Sequence, residues 1–185
     1  MAVTVSNIIV GQATVSLGDT VAAVEDIGAT QDGVELSWEP DMVDIEVDQF
    51  GDAAKVIQSM VKVMLKTTLA EGTLRNLARA WGYDDTLTGD DIKLNQDGSD
   101  TRTFMFGIEN VYPHEKAIVT VGNAPGTSAA ATKTRTFTAK RAISYAASSH
   151  SMKRAEATVF PVEFRILPTV ADTNYEYGKI IDSTA

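Results

Sequence analysis

Few side chains in this sequence combine the type and the spacing that chemistry needs. The two histidines, His114 and His150, have no neighbouring Ser-Asp arrangement of the kind nucleophilic catalysis uses. Both fall in stretches that read as loops or strand ends, where an imidazole is usually solvated. Asn95-Gln-Asp-Gly-Ser-Asp100 has the flavour of a calcium loop. Its sixth position, however, is Asp100 where a glycine must turn the chain, and its twelfth is Phe106 where a bidentate Glu is needed. Asp97-Gly98 reads better as a hairpin turn. Gly122-Asn-Ala-Pro-Gly-Thr-Ser128 is rich in small residues like a phosphate loop but lacks the lysine and its spacing. The acidic pairs Asp84-Asp85 and Asp90-Asp91 suit a solvated surface loop as well as a cation. There is no cysteine, which excludes disulfides, thiolate zinc sites and cysteine nucleophiles together. The expectation is a protein that is not an enzyme and holds no metal or cofactor.

With 185 residues, the chain is long enough for one domain (1–185) with a sizeable core. It is 44% hydrophobic and 22% charged, an ordinary soluble composition. No apolar run approaches the length of a membrane span, and the first residues do not read as a secretory signal, so no membrane anchor or export is expected. The net charge of −9 is unevenly spread. Eleven acids precede the first base, Lys55, whereas Lys133–Arg165 holds seven bases against Glu156 and Glu163. Two readings remain open. The acidic and basic segments lie together within one fold, or an acidic patch on one copy meets a basic patch on the next. A chain of this charge is a poor candidate for gripping phosphates.

The elements that must position these groups are mostly strands. Val3–Val10, Ala13–Leu17 and Val34–Trp38 read as short strands, the last ending before Pro40. In Asp41–Gln49, Val43, Ile45 and Val47 alternate with Asp44, Glu46 and Asp48, the pattern of a half-buried strand with a row of carboxylates on its other face. After a loop at Phe50-Gly51-Asp52, a second long strand spans 56–69. Ile57, Val61, Val63, Leu65 and Leu69 can share one face of it, with Gln58, Met60, Lys62, Met64 and Lys66 on the other. Paired as a hairpin, these strands would set lysines near the carboxylate row. Thr68-Leu-Ala-Glu71 has the form of a capping box, and Leu74, Leu77, Ala78 and Trp81 follow at helical spacing, so one helix is expected over about 69–81, ended by Gly82. Further strands are expected at 92–94, 102–108, 117–121, 135–145 and 157–167, with a mobile loop at 122–132. Trp38 and Trp81 both fall in patterned elements and read as core. The expected fold is mainly β, a sandwich or partial barrel with one flanking α-helix.

Several segments, in order, resemble a known family. They are Val10-Gly-Gln-Ala-Thr-Val-Ser-Leu17, Ile27-Gly-Ala-Thr-Gln-Asp-Gly-Val-Glu-Leu36, Val43-Asp-Ile-Glu-Val-Asp-Gln49 running into Thr68-Leu-Ala-Glu71, Phe160-Pro-Val-Glu-Phe-Arg-Ile-Leu-Pro168, and Tyr177-Gly-Lys-Ile-Ile-Asp182. Together the chain resembles the tail tube proteins, or major tail proteins, of long-tailed bacteriophages, which are related to the inner tubes of contractile injection machines. The stretch 83–134 carries little of the likeness.

The resemblance implies a structural virion protein assembled in the bacterial host cytoplasm. Six copies would form a ring, their strands would close a continuous barrel, and stacked rings would form the conduit through which DNA is ejected. Its partners would be other copies of itself, with the tape measure protein, the tail terminator, baseplate or tail-tip proteins, and a sheath if the tail contracts. Asp44, Glu46 and Asp48 would then face the lumen, where carboxylates repel phosphate. Phe50, Gly51 and Asp52, the chain termini as flexible arms, and the bases Lys133, Arg135, Lys140, Arg141, Lys153 and Arg154 would meet neighbouring copies. On that view, Lys140→Glu with Arg141→Glu should weaken assembly. The alternatives are an inner tube wrapped by a sheath and, from another class, a β-sandwich module that binds a receptor or a carbohydrate. The latter would show an exposed aromatic cluster.

Overall fold

Alternating apolar and polar residues dominate the described parts of the chain, and strands are what form. The computed structural model describes residues 9, 11–48, 52–83, 113–126, 132–145, 148–150, 152, 154, 157–170 and 176–183. The strands are β1 (Thr14–Gly18), β2 (Glu25–Asp26), β3 (Thr30–Glu46), β4 (Ala53–Leu69), β5 (Lys116–Asn123), β6 (Thr134–Ser144), β7 (Phe160–Ile166) and β8 (Lys179–Asp182), with a single-turn 3-10 helix at Val21–Ala23 and one α-helix, α1 (Leu74–Ala80). All eight strands belong to one sheet, ordered β2-β1-β5-β6-β7-β4-β3, with β8 also on β6. Every pairing is antiparallel. The sheet does not close on itself. Among the described residues, no helix is long and apolar enough to cross a membrane.

The core follows the period of two. Phe160, Val162, Phe164 and Ile166 of β7 are buried, with Glu163 and Arg165 on the opposite face as the sequence predicts. Across the ladder they meet Leu69, Thr67, Leu65 and Val63 of β4. Val15, Leu17 and Ile118 extend the cluster, and Leu77 and Ala80 of α1 join it. Trp81 packs against it, partly buried, as expected.

The helix begins later than the capping-box pattern suggests. Thr68 and Leu69 remain in β4, hydrogen-bonded on one side to β3 and on the other to β7. A residue held in two ladders cannot cap a helix. Thr73 is the N-cap instead, its Oγ1 accepting from the Asn76 amide at 3.1 Å. Glu71 turns outward, and its Oε1 accepts from the Ala29 amide at 3.0 Å. Asn76 is buried, donating through Nδ2 to the carbonyls of Ile27 (3.0 Å) and Glu71 (3.2 Å), which fixes the helix start against the β2–β3 connection. Gly82 ends the helix as predicted. With φ of 78° it permits the Gly82 amide to donate to Arg79 and the Tyr83 amide to Ala78, the paired bonds of a Schellman cap. Thr73→Ala is expected to cost about 0.5–2 kcal/mol in urea denaturation, the ordinary loss of an N-cap, whereas Thr68→Ala should not reproduce a capping loss.

Pro40 does not end a strand, contrary to expectation. It lies inside β3, opposite Val61. The reason is position. β3 is the edge of the sheet, and an edge strand has one row of N–H groups with no ladder to supply, so a proline is tolerated. The strand expected over 3–10 lies outside the described residues except for Ile9. So do the acidic loop after Tyr83, the calcium-like loop, the strands expected at 92–94 and 102–108, and part of the small-residue loop after Gly126.

Candidate functional site

The feature that stands apart from this body is an arm. β7 leaves β4 at the Val63–Ile166 pair. Beyond it, Ala53–Lys62 of β4 pairs with β3 alone, over Glu39–Glu46. The result is a two-stranded ribbon, and such a ribbon is at best marginally stable by itself in water. Here it continues strands anchored in the sheet. Both of its edges lack a ladder partner among the described residues.

A bulge sets which side chains share a face. Asp41 pairs with Met60 and Met42 with Gln58, leaving Ser59 as the extra residue. Its hydroxyl donates to the Asp41 carbonyl (3.2 Å) or carboxylate (3.0 Å). The insertion reverses the alternation of β4 beyond it. Ile57 therefore lies across from Val43, and Gln58 takes the side of Val61, which corrects the expected division of faces. Of the β4 lysines, only Lys55 lies beyond the bulge. Lys62 pairs with Glu39 at 3.8 Å, Lys66 pairs with Glu163 at 3.1 Å, and Lys55 lies opposite Ile45. The hydrogen bond and charge of Glu163 hold Lys66 above its ordinary pKa. Asp44, instead of facing a lysine, faces Val56.

The apolar side of the arm is not half-buried as its pattern suggests. Val43, Ile45, Val47 and Ile57 are exposed, Met60 is 67% exposed, and Val56, on the Asp44 face, is exposed too. Trp38, read as core, is 59% exposed on the edge strand and meets Tyr177 edge-on at 6.2 Å. Asp44, Glu46, Asp48 and Asp52 are exposed as well, and Asp52 accepts from the Ala53 amide at 2.8 Å. The arm tip thus combines exposed apolar side chains with an excess of carboxylates. Phe50 and Gly51, at its turn, lie outside the described residues.

The basic segment is partly engaged within the chain. Arg135 binds Asp182 with two bonds, of 2.7 and 2.8 Å, and Arg141 binds Glu115 with two of 2.7 Å. Arg141 also donates to the Pro168 carbonyl at 2.9 Å. The guanidinium groups hold the Asp182 and Glu115 carboxyls below their ordinary pKa. A Glu at position 141 would face Glu115, so the Lys140–Arg141 double substitution would disturb the fold as well as any interface. Lys140 and Arg154 are exposed, Lys133 is half-buried, and Lys153 lies outside the described residues.

The acidic half is likewise partly matched inside the fold. Glu25 receives Arg75 (2.6 Å) and Arg79 (3.4 Å), and Asp19 receives Lys116 (2.6 Å) with His114 at 3.6 Å. His150, at a loop, stacks on Phe160 with ring centroids 5.3 Å apart. Among the described residues, no three His, Asp or Glu side chains converge as metal ligands would. No sequence pattern announces the seat of β8 on β6. Its signal is the run Lys179-Ile-Ile-Asp182, too short to be distinctive alone. No protein-family model matches the chain, and no curated protein matches it.

Proposed function

We propose that the protein is a structural subunit that polymerises as stacked hexameric rings into the tail tube of a long-tailed bacteriophage, a conduit for DNA ejection. The observation that carries this reading is the β3–β4 arm. Among the described residues it has long edges without a ladder partner and exposed apolar residues on both faces, features that a monomeric protein suppresses. A neighbouring copy would satisfy both at once, pairing the edges and covering Val43, Ile57 and Met60. Repeated head to tail, such a contact closes a ring. A ring-wide barrel of this size holds water, so its inner face is polar. Asp44, Glu46 and Asp48 suit that face, since carboxylates let DNA pass without sticking. The tape measure protein, the tail terminator and tail-tip proteins would be the tube's partners, and a sheath would enclose it if the tail contracts.

Electron microscopy of the purified protein, with sizing at low and high salt, tests this reading. Rings or hollow tubes with a central channel are expected. A second reading, a module that binds carbohydrate, draws on the exposed Trp38 and its contact with Tyr177, because a flat aromatic offers a face to a sugar. A monomer that bound glycans through Trp38 and formed no rings at any concentration would replace the tube with that module.

A further inference from the structure

Among the described residues, β8 pairs with β6 alone. Lys179–Asp182 pairs with Thr138–Arg135 of β6, and all four of its residues are exposed, Ile180 and Ile181 included. It therefore adds no side chain to the core. Its seat is nonetheless specific. Arg135 grips Asp182 with two bonds. The Ser183 amide donates to the Thr134 carbonyl at 2.8 Å, and the Thr134 amide donates to the Ser183 hydroxyl at 3.0 Å. At the other end, a Cβ on Gly178 would come within 2.8 Å of the Phe137 ring and the Thr138 carbonyl, so the strand can start there only with glycine. Each of these contacts is made to β6. The seat reads a short strand, Gly-Lys-Ile-Ile-Asp-Ser, and the same contacts would form whichever copy of the chain supplied it.

We propose that β8 is an exchangeable strand: in the assembled protein, the β6 edge of one copy receives β8 from a second copy. Twelve residues, 167–178, connect β7 to β8. Fully extended they reach about 40 Å, against about 5 Å between adjacent strands. Among the described residues, this connector is tethered by a backbone bond from Leu167 to Arg141, the Arg141–Pro168 bond, a bond from Thr169 to Glu176, and Tyr177, which meets Trp38 and Val61 and packs against the core cluster. Releasing β8 uncovers no buried side chain of its own. Seated in its own chain, β8 blunts the β6 edge against stray pairing. Seated in a neighbour, the same bonds link two copies without any new surface having to be built, which is the economy of swapped elements. The inference rests on the self-association reading, and the test separates the two.

The chain has no cysteine, so introduced thiols are unambiguous. Thr136 and Ile181 are directly opposite one another. Opposed residues of an antiparallel pair lie about 4.5–5.5 Å apart, within the span of a disulfide. Full-length Thr136→Cys and Ile181→Cys proteins are mixed, concentrated to assemble, oxidised and run on a denaturing gel, with the same samples imaged. A covalent dimer well above background is expected, formed at the joints where a Thr136→Cys copy receives β8 from an Ile181→Cys copy. Thr136→Cys mixed with Met152→Cys, an exposed position away from the seat, should give only background. The double variant, oxidised while monomeric, locks β8 in its own chain and should lose assembly until reduced. Rings or tubes without the covalent dimer, or a locked double variant that assembles like the unmodified protein, would overturn exchange while leaving the tube intact. A covalent dimer in samples without rings would uphold exchange and overturn the tube. Monomers alone, with neither dimer nor rings, would overturn both.

Discussion

Val43→Glu combined with Ile57→Lys is expected to abolish assembly while leaving the subunit folded. The two residues are opposite each other on the arm, and both are exposed. Exposed substitutions away from caps and cores usually change stability by no more than about 0.5 kcal/mol. A Glu–Lys pair set directly across a ladder contributes roughly 0.2–1 kcal/mol, which should preserve the ribbon itself. What the pair removes is the apolar surface a neighbouring copy would cover, and in its place the joint would have to bury two charges, at several kcal/mol each unless they remain well paired. Sizing and electron microscopy should show monomers under the conditions in which the parent protein is expected to form rings or tubes, with the urea midpoint nearly unchanged. If the variant polymerised normally, the arm would not be the joint.

Phe164→Ala is expected to have the opposite profile. Phe164 is 3% exposed in β7, paired with the fully buried Leu65 on one side and with Ser144 on the other. Truncating a buried phenylalanine costs about 3–5 kcal/mol through lost transfer energy and the cavity left behind. Domains of this kind are stable by only about 5–15 kcal/mol, so much of the folded population's margin would go. Urea denaturation followed by circular dichroism should show the midpoint falling steeply, and Phe164→Leu should recover most of the loss. A loss below about 1 kcal/mol would mean that β4 and β7 do not enclose the core described above. The two variants alter similar residues on neighbouring strands. Their contrast separates apolar groups that hold the subunit together from those available to join subunits.

The resemblance to tail tube proteins is the source of the proposed ring, lumen and virion setting. The arm supplies a physical reason for a subunit of this shape to self-associate. The intrachain ion pairs of Arg135, Arg141, Glu25 and Asp19 change what the charge asymmetry means. Part of it is settled inside one fold, and the exposed carboxylates at the arm tip, Asp44, Glu46, Asp48 and Asp52, remain for solvent, a lumen or a neighbour.

The sequence by itself determined what depends on neighbours a few residues away. The period-two run Phe160–Ile166 names its own buried face, because successive side chains of a strand must point to opposite sides. Gly82 marks the helix end, because the cap needs a left-handed φ that glycine adopts without strain. The alternating run Asp41–Gln49, the short loop at Phe50-Gly51-Asp52 and the second long strand over 56–69 allow a hairpin. Only the tertiary structure decided what lies opposite each face. Thr68 looks like a cap until two ladders claim it, and Pro40 looks like a stop until its strand proves to be an edge. Ser59 shifts the facing of every β4 residue beyond it, which no local pattern announces. Trp38, Val43 and Ile57 are as apolar as Phe164, yet they are exposed, because burial belongs to the layer that packs on a residue and not to the residue. Arg135 and Asp182 are 47 positions apart and Arg141 and Glu115 are 26 apart, so their pairing follows from strand order alone.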